Sequence, residues 1–182
     1  MATLLDAIDP SLATWLEQQP MFFVASAPLD AEGHVNVSPK GMAGSFRVVG
    51  EHEIAYHDVT GSGAETIAHI RENGRITVMF CAFDGRPRIV RLYGTGSVHL
   101  PSSADYAALV PNFPPFDGTR SIITIAVDRI TTSCGYGVPE MEFVADRRIL
   151  LLDAAKKGPE KLEAYRRENN AVSIDGLPAL GE

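Results

Sequence analysis

The sequence predicts a mainly β protein, a closed or nearly closed antiparallel barrel of six or seven strands with a few peripheral helices. Three observations carry this. Short apolar or alternating segments rich in Val, Ile, Phe and Thr recur along the first two thirds of the chain. Most are joined by brief turn-forming stretches, too short for the crossover of a dozen or more residues that a parallel neighbour needs. Helical patterns interrupt the series only briefly, which suits a barrel with helices at its rim.

The elements follow in order. Asp9-Pro10 and residues 11–19 read as a capped helix, with Asp9 at the N-cap, Pro10 in the first turn, and Leu12, Trp15 and Leu16 on one face. Pro20 ends it. Residues 21–27 form an apolar strand, 29–33 a turn and 34–39 a return strand. Residues 45–49 and 53–57 flank Gly50-Glu51-His52 as a second hairpin, and 75–83 with 88–100 form a third around Asp84-Gly85-Arg86-Pro87. Six strands thus precede residue 101. A helix over 64–72 is stopped by Asn73-Gly74, and another is expected over 103–109. Residues 119–131 give a last strand, in which Ile123, Ile125 and Val127 alternate with Thr124, Ala126 and Asp128. A charged helix over 153–170 and a Gly- and Pro-containing tail complete one domain, residues 1–182, with its core over about 20–133 and a C-terminal loop and helix over 134–182.

Composition narrows the function classes. Apolar residues make up 45% and charged residues 21% of the 182, as in ordinary globular proteins. A net charge of −7 argues against a general nucleic-acid binder, which needs a basic face. No apolar run approaches the roughly 18 residues of a membrane span, and the N-terminus lacks a signal-peptide pattern, so no membrane association and a cytoplasmic location are expected. Cys81 and Cys134 are too few for a disulfide framework, and the five histidines fall in no metal-ligand spacing, so no metal site is assigned.

Two segments stand out as a candidate anion cradle: Asn36-Val37-Ser38-Pro39-Lys40-Gly41, and Thr60-Gly61-Ser62-Gly63-Ala64-Glu65. A glycine turn leading into a helix offers unpaired backbone N–H groups and a positive dipole end. A purely structural account competes with this, because Ser62 and Glu65 fit the S-x-x-E capping box, and Glu65 brings negative charge to where an anion would sit. Lys40 has the same two readings, solvated strand edge or phosphate ligand. Arg91 lies within an apolar strand, where alternation groups it with Ile89, Tyr93 and Thr95; it is either an exposed or ion-paired barrel residue or a ligand clamp, and Arg88 is a second candidate cation. In the loop 133–139, Tyr136 either packs over the barrel end or covers a ligand. No nucleophile or paired carboxylates can be defended, so catalytic residues are unassigned.

The series N-V-S-P-K-G, glycine-serine turn into a helix, R-I-T-V-M-F and R-I-V-R-L-Y-G-T-G resembles the FMN-binding split barrel of the pyridoxamine 5′-phosphate oxidase-like family over residues 20–133. The resemblance implies FMN bound at the interface of a homodimer. It also implies that Ser38 and Lys40 stand at the end of the phosphate-binding strand and that Thr60, Gly61 and Ser62 form the cofactor-binding turn. The sequence departs from the oxidases at three places: Gly63-Ala64 replaces an arginine-lysine pair, Val35 an arginine, and Ile89 a glutamine that meets the flavin. Arg88 or Arg91 is therefore expected to restore phosphate charge, and Tyr136 to approach the cofactor. The function implied is an FMN-dependent oxidoreductase of an unidentified small molecule, with NADH, NADPH or oxygen as redox partner, and not a true pyridoxamine phosphate oxidase. A non-catalytic flavin- or haem-binding protein for storage or sensing is the alternative.

Overall fold

In the computed structural model, which describes residues 2–181, one curled sheet holds all the strands. They are β1 (Thr3–Leu5), β2 (Met21–Ser26), β3 (Asn36–Gly41), β4 (Phe46–Gly50), β5 (Glu53–Val59), β6 (Arg75–Cys81), β7 (Ile89–His99) and β8 (Thr119–Ser133). The helices are α1 (Pro10–Gln18), α2 (Glu65–Asn73), α3 (Ala104–Leu109), followed by a 3-10 turn, and α4 (Ile149–Asn169). Strand order is β3-β2-β6-β7-β8-β5-β4, every pairing is antiparallel, and β1 adds to the end of β8. The mainly β antiparallel architecture expected from the sequence is the one observed. Among the described residues no ladder joins β3 to β4, so the barrel is split there. Side chains bridge the split instead.

Alternation places the core. Val24, Val78, Val90, Leu92, Ile123 and Ile125 are buried on the inner face, where β-branched side chains suit a pleated surface. Phe22, Phe46, Tyr56 and Phe80 form an aromatic cluster with ring centroids 4.9–5.5 Å apart. Helix α1 closes one end with buried Leu12 and Leu16, and the Asp9 carboxylate caps it by accepting from Leu12 N at 2.8 Å. Helix α2 packs Ile67 and Ala68 inward and stops at Gly74, whose φ of 72° is the left-handed C-terminal conformation. At Gly94 a side chain is impossible, because a Cβ would stand 2.0 Å from Ala126 O. This glycine sits where β7 and β8 shift register, a bulge that increases local twist and curls the sheet.

Four expectations are corrected. Strand β1 adds a seventh strand before residue 101; its three residues are too short to give a pattern. Helix α4 is broken at Gly158-Pro159, where φ is 71° and proline cannot continue the hydrogen-bond ladder. The capping box does not form: α2 starts at Glu65 with Ala64 as an N-cap lacking a side-chain bond. Asn170 Nδ2 holds the carbonyls of Gly61 and Ser62, at 2.9 and 3.4 Å, and keeps that turn out of the helix. Tyr136 does not pack over the barrel end; it is 83% exposed. The loop is anchored one residue earlier, where Gly135 lies so close to the Arg88 backbone that a Cβ would stand 2.8 Å from Arg88 N.

Candidate functional site

The split between β3 and the β4–β5 hairpin opens into a cleft of about 280 Å³, lined by Ser38, Lys40, His57, Gly61, Thr66 and Arg120 among others. That is just below the ~300–1,000 Å³ typical of small-molecule sites.

Charge is organised around Asp58. Its side chain is fully buried in β5, and its two oxygens take bonds from Arg120 Nε at 2.6 Å, Arg120 Nη2 at 3.3 Å, Lys40 Nζ at 3.0 Å and Ser121 Oγ at 3.1 Å. Burial works against ionisation, but the charges of Lys40 and Arg120 and their hydrogen bonds outweigh it and hold this carboxyl at about 2. Two cations face one anion, so the cluster carries one net positive charge. Arg120 is itself buried, and its Nη1 has no hydrogen-bond partner among the described residues. A buried guanidinium nitrogen without an acceptor is a costly and rare feature, and Arg120 is among the residues that line the cleft.

The remaining wall is polar and ordered. Asn36 Nδ2 donates to Ser26 Oγ at 3.2 Å and Thr66 Oγ1 at 3.0 Å, while its Oδ1 accepts from Ser38 Oγ at 2.9 Å. Ser26 in turn bonds Nδ1 of the buried His69 at 2.9 Å. His57 lies beside the rings of Phe113 and Phe116, at 4.5 and 5.0 Å, and bonds Thr119 Oγ1 at 3.2 Å. Burial lowers its pKa, aided by the nearby Arg47, and its Nε2 is unpartnered. Glu65 also lines the cleft, at the first turn of α2, with Oε1 accepting from Ile174 N at 3.3 Å.

The structure therefore gathers only part of the set proposed from sequence. Ser38, Lys40 and Gly61 line one cleft. Thr60 lies behind the wall, its hydroxyl donating to Gly118 O at 2.8 Å and accepting from Arg166 Nε at 2.9 Å. Ser62 is exposed at the outside of the turn. Arg88 lines a second cleft, its guanidinium 5.0 Å from the Trp15 ring centre. Arg91 faces outward on β7 and reaches Ser133 Oγ at 3.4 Å. Sequence reasoning missed Asp58, Arg120, His57 and Thr66. The available signal was a charged residue at one end of each apolar strand, Asp58 after Ile54 to His57 and Arg120 before Ile122 to Val127. Only the β5–β8 pairing, which sets Asp58 opposite Ser121, makes that a pair.

An antiparallel split barrel with a polar cleft and a buried Lys40–Asp58–Arg120 cluster at its seam is the class of protein these features define. The chain belongs to the pyridoxamine 5′-phosphate oxidase family, whose sequence model matches residues 8–134. It is 39% identical over 196 aligned positions to the pyridoxamine 5′-phosphate oxidase family protein ustO of Aspergillus flavus, covering 99% of this chain and 78% of that one. Among solved structures, a HupZ variant from Group A Streptococcus superposes with a TM-score of 0.51 at 24% identity, covering 69% of this chain and 99% of that chain. A protein of the pyridoxinephosphate oxidase family from Clostridium acetobutylicum, related to a general stress protein, gives a TM-score of 0.50 at 13% identity, covering 66% and 84%. Both likenesses concern the fold.

Proposed function

We propose that this protein is an FMN-dependent oxidoreductase acting on a small molecule, with the flavin phosphate in the Lys40–Arg120 cleft. The observation that carries the reading is the unpartnered Arg120 Nη1, set beside Lys40 in a cluster whose net charge is positive. The residues present fit the group: two cations, the Thr66 hydroxyl and the backbone N–H groups at the start of α2 form an anion-binding set. Ser38, ordered by Asn36, offers a further polar contact. Glu65 opposes the charge of the set, and its bond to Ile174 N holds its carboxylate on the C-terminal segment. When bound, FMN would supply the redox chemistry, while the chain binds, orients and tunes it.

The reading includes a homodimer with the flavin at the subunit interface. Val144, Ile149 and Leu152 are between 58% and 88% exposed along one stretch of chain, and exposed apolar side chains close together fit a partner. Contributions from Arg91 or Tyr136 to the flavin would then come from the second protomer.

The absorption spectrum of the purified protein, with mass spectrometry of whatever heat releases, tests the cofactor. Flavin bands with an FMN mass are expected; a colourless protein that binds no added FMN sinks the reading. Lys40→Met should weaken FMN about tenfold or more, because a charge-assisted contact is lost. Arg91→Ala, titrated with FMN, tests the partner's contribution. Stopped-flow mixing with NADH, NADPH and candidate substrates separates enzyme from binder, and no reduction by any of them would favour the non-catalytic reading.

A further inference from the structure

We propose that the second cleft, of about 930 Å³, binds an aromatic carboxylate, held by the Arg88 guanidinium that stacks on the face of Trp15. The cleft lies across the turn at residues 41–45 from the Lys40 site: Ala43 lines one and the adjacent Met42 lines the other. Met42 is the one non-glycine residue with positive φ among those described, at 78°, a strained conformation that clusters at functional sites. The volume suits a whole small molecule.

Two chemistries converge on this cleft. Trp15, Phe83 and Phe143 with Met141 supply an apolar, aromatic wall, and Phe143 and Met141 are exposed beside it. Arg88 supplies the polar anchor. Its Nε bonds Thr132 Oγ1 at 3.3 Å and its guanidinium stacks 5.0 Å over Trp15, while its two terminal nitrogens have no hydrogen-bond partner and no carboxylate within salt-bridge distance among the described residues. A stacked, pre-oriented guanidinium with both terminal nitrogens open is suited to a bidentate carboxylate. Carboxylates also line the cleft, but two of them are engaged: Glu17 accepts from Val48 N at 2.9 Å and Asp146 from Ala43 N at 3.1 Å. Asp84 sits on the exposed β6–β7 turn beside Arg86. The ligand is thus an aromatic ring against Phe83, Met141 and Phe143 with its carboxylate on the Trp15-backed Arg88.

Trp15 is the only tryptophan of the chain, so its fluorescence reports this cleft alone. The test titrates the purified protein with 3-phenylpropionate, which does not absorb where tryptophan is excited, and repeats the titration by calorimetry. A saturable change at one ligand per chain is expected, about tenfold weaker for 3-phenylpropionamide and for Arg88→Met, because each removes the charge-assisted pair. Trp15→Phe should lose the optical signal, which assigns that signal to this cleft. No saturable binding at millimolar concentration, equal affinity for acid and amide, or tighter binding of phenethylamine than of the acid overturns the proposal. The comparison of acid with amide uses the unmutated protein, so it stands even if Arg88→Met does not fold. The result is scored whether or not the protein carries flavin, so failure here is distinct from failure of the cofactor reading.

Discussion

Asp58 decides what Lys40 and Arg120 can do. Without it, two cations would face each other at the barrel seam, one of them buried, and burying an unpaired charge costs several kcal/mol. With it, they are held 3.0 and 2.6 Å from one carboxylate and aimed along the same cleft wall. Asp58→Asn should therefore destabilise the protein by about 3–5 kcal/mol, the range for removing one partner of a buried ion pair. Urea unfolding measures this, and a loss under ~1 kcal/mol would mean that water reaches the cluster. Lys40→Met should be much milder in the same assay, because Asp58 keeps both Arg120 bonds.

At the scale of elements, each feature of the site depends on where a strand or helix begins. β5 delivers His57 and Asp58, and β8 delivers Arg120 and Ser121, because their antiparallel register sets Asp58 opposite Ser121. The turn before α2 is fixed from outside itself, by Thr60 bonding Gly118 and by Asn170 holding Gly61 and Ser62. Asn170→Ala should leave the barrel folded while loosening this turn, read as faster amide exchange at 61–65. Unchanged exchange would show that the turn holds itself. Helix α1 offers a calibrating comparison: Asp9→Ala removes an N-cap bond of 2.8 Å and should cost ~1 kcal/mol in thermal or urea unfolding.

For the whole molecule, the buried cluster makes stability depend on acid. Asp58 has its pKa depressed from 3.8 to about 2 in the folded chain. Between those values the unfolded state binds more protons than the folded state, so stability rises with pH there. The contribution is fully present above about pH 4 and is lost as pH falls through about 2. Its size follows from the shift, about 2 kcal/mol at ~1.4 kcal/mol per unit. Urea midpoints measured from pH 5 to pH 2 should fall more steeply for the unmutated protein than for Asp58→Asn. Parallel curves would remove Asp58 from the account. Light scattering over a range of protein concentrations tests the dimer at the same scale, and a monomer that still binds flavin would contradict the interface site.

Much of the barrel was legible along the chain because its signals are local. Period-two alternation set Ile123, Ile125 and Val127 apart from Thr124, Ala126 and Asp128, short turns required antiparallel neighbours, and Asp9-Pro10 and Asn73-Gly74 marked helix ends. Lys40 and Gly61 could be picked out by the same kind of signal, a strand end and a glycine turn. The rest of the cleft depends on groups far apart in sequence. Asp58 and Arg120 are separated by 62 residues, and neither looks special until β5 and β8 lie side by side. Arg88, read from sequence as a phosphate ligand, stacks on Trp15 in the neighbouring cleft of its own chain. The sequence by itself determined seven of the eight described strands, their antiparallel pairing and the stops of α1 and α2, since each is set by residues a few positions apart. Only the tertiary structure decided which charges meet, because ion pairing and desolvation act through space and depend on which strands the closing sheet makes neighbours.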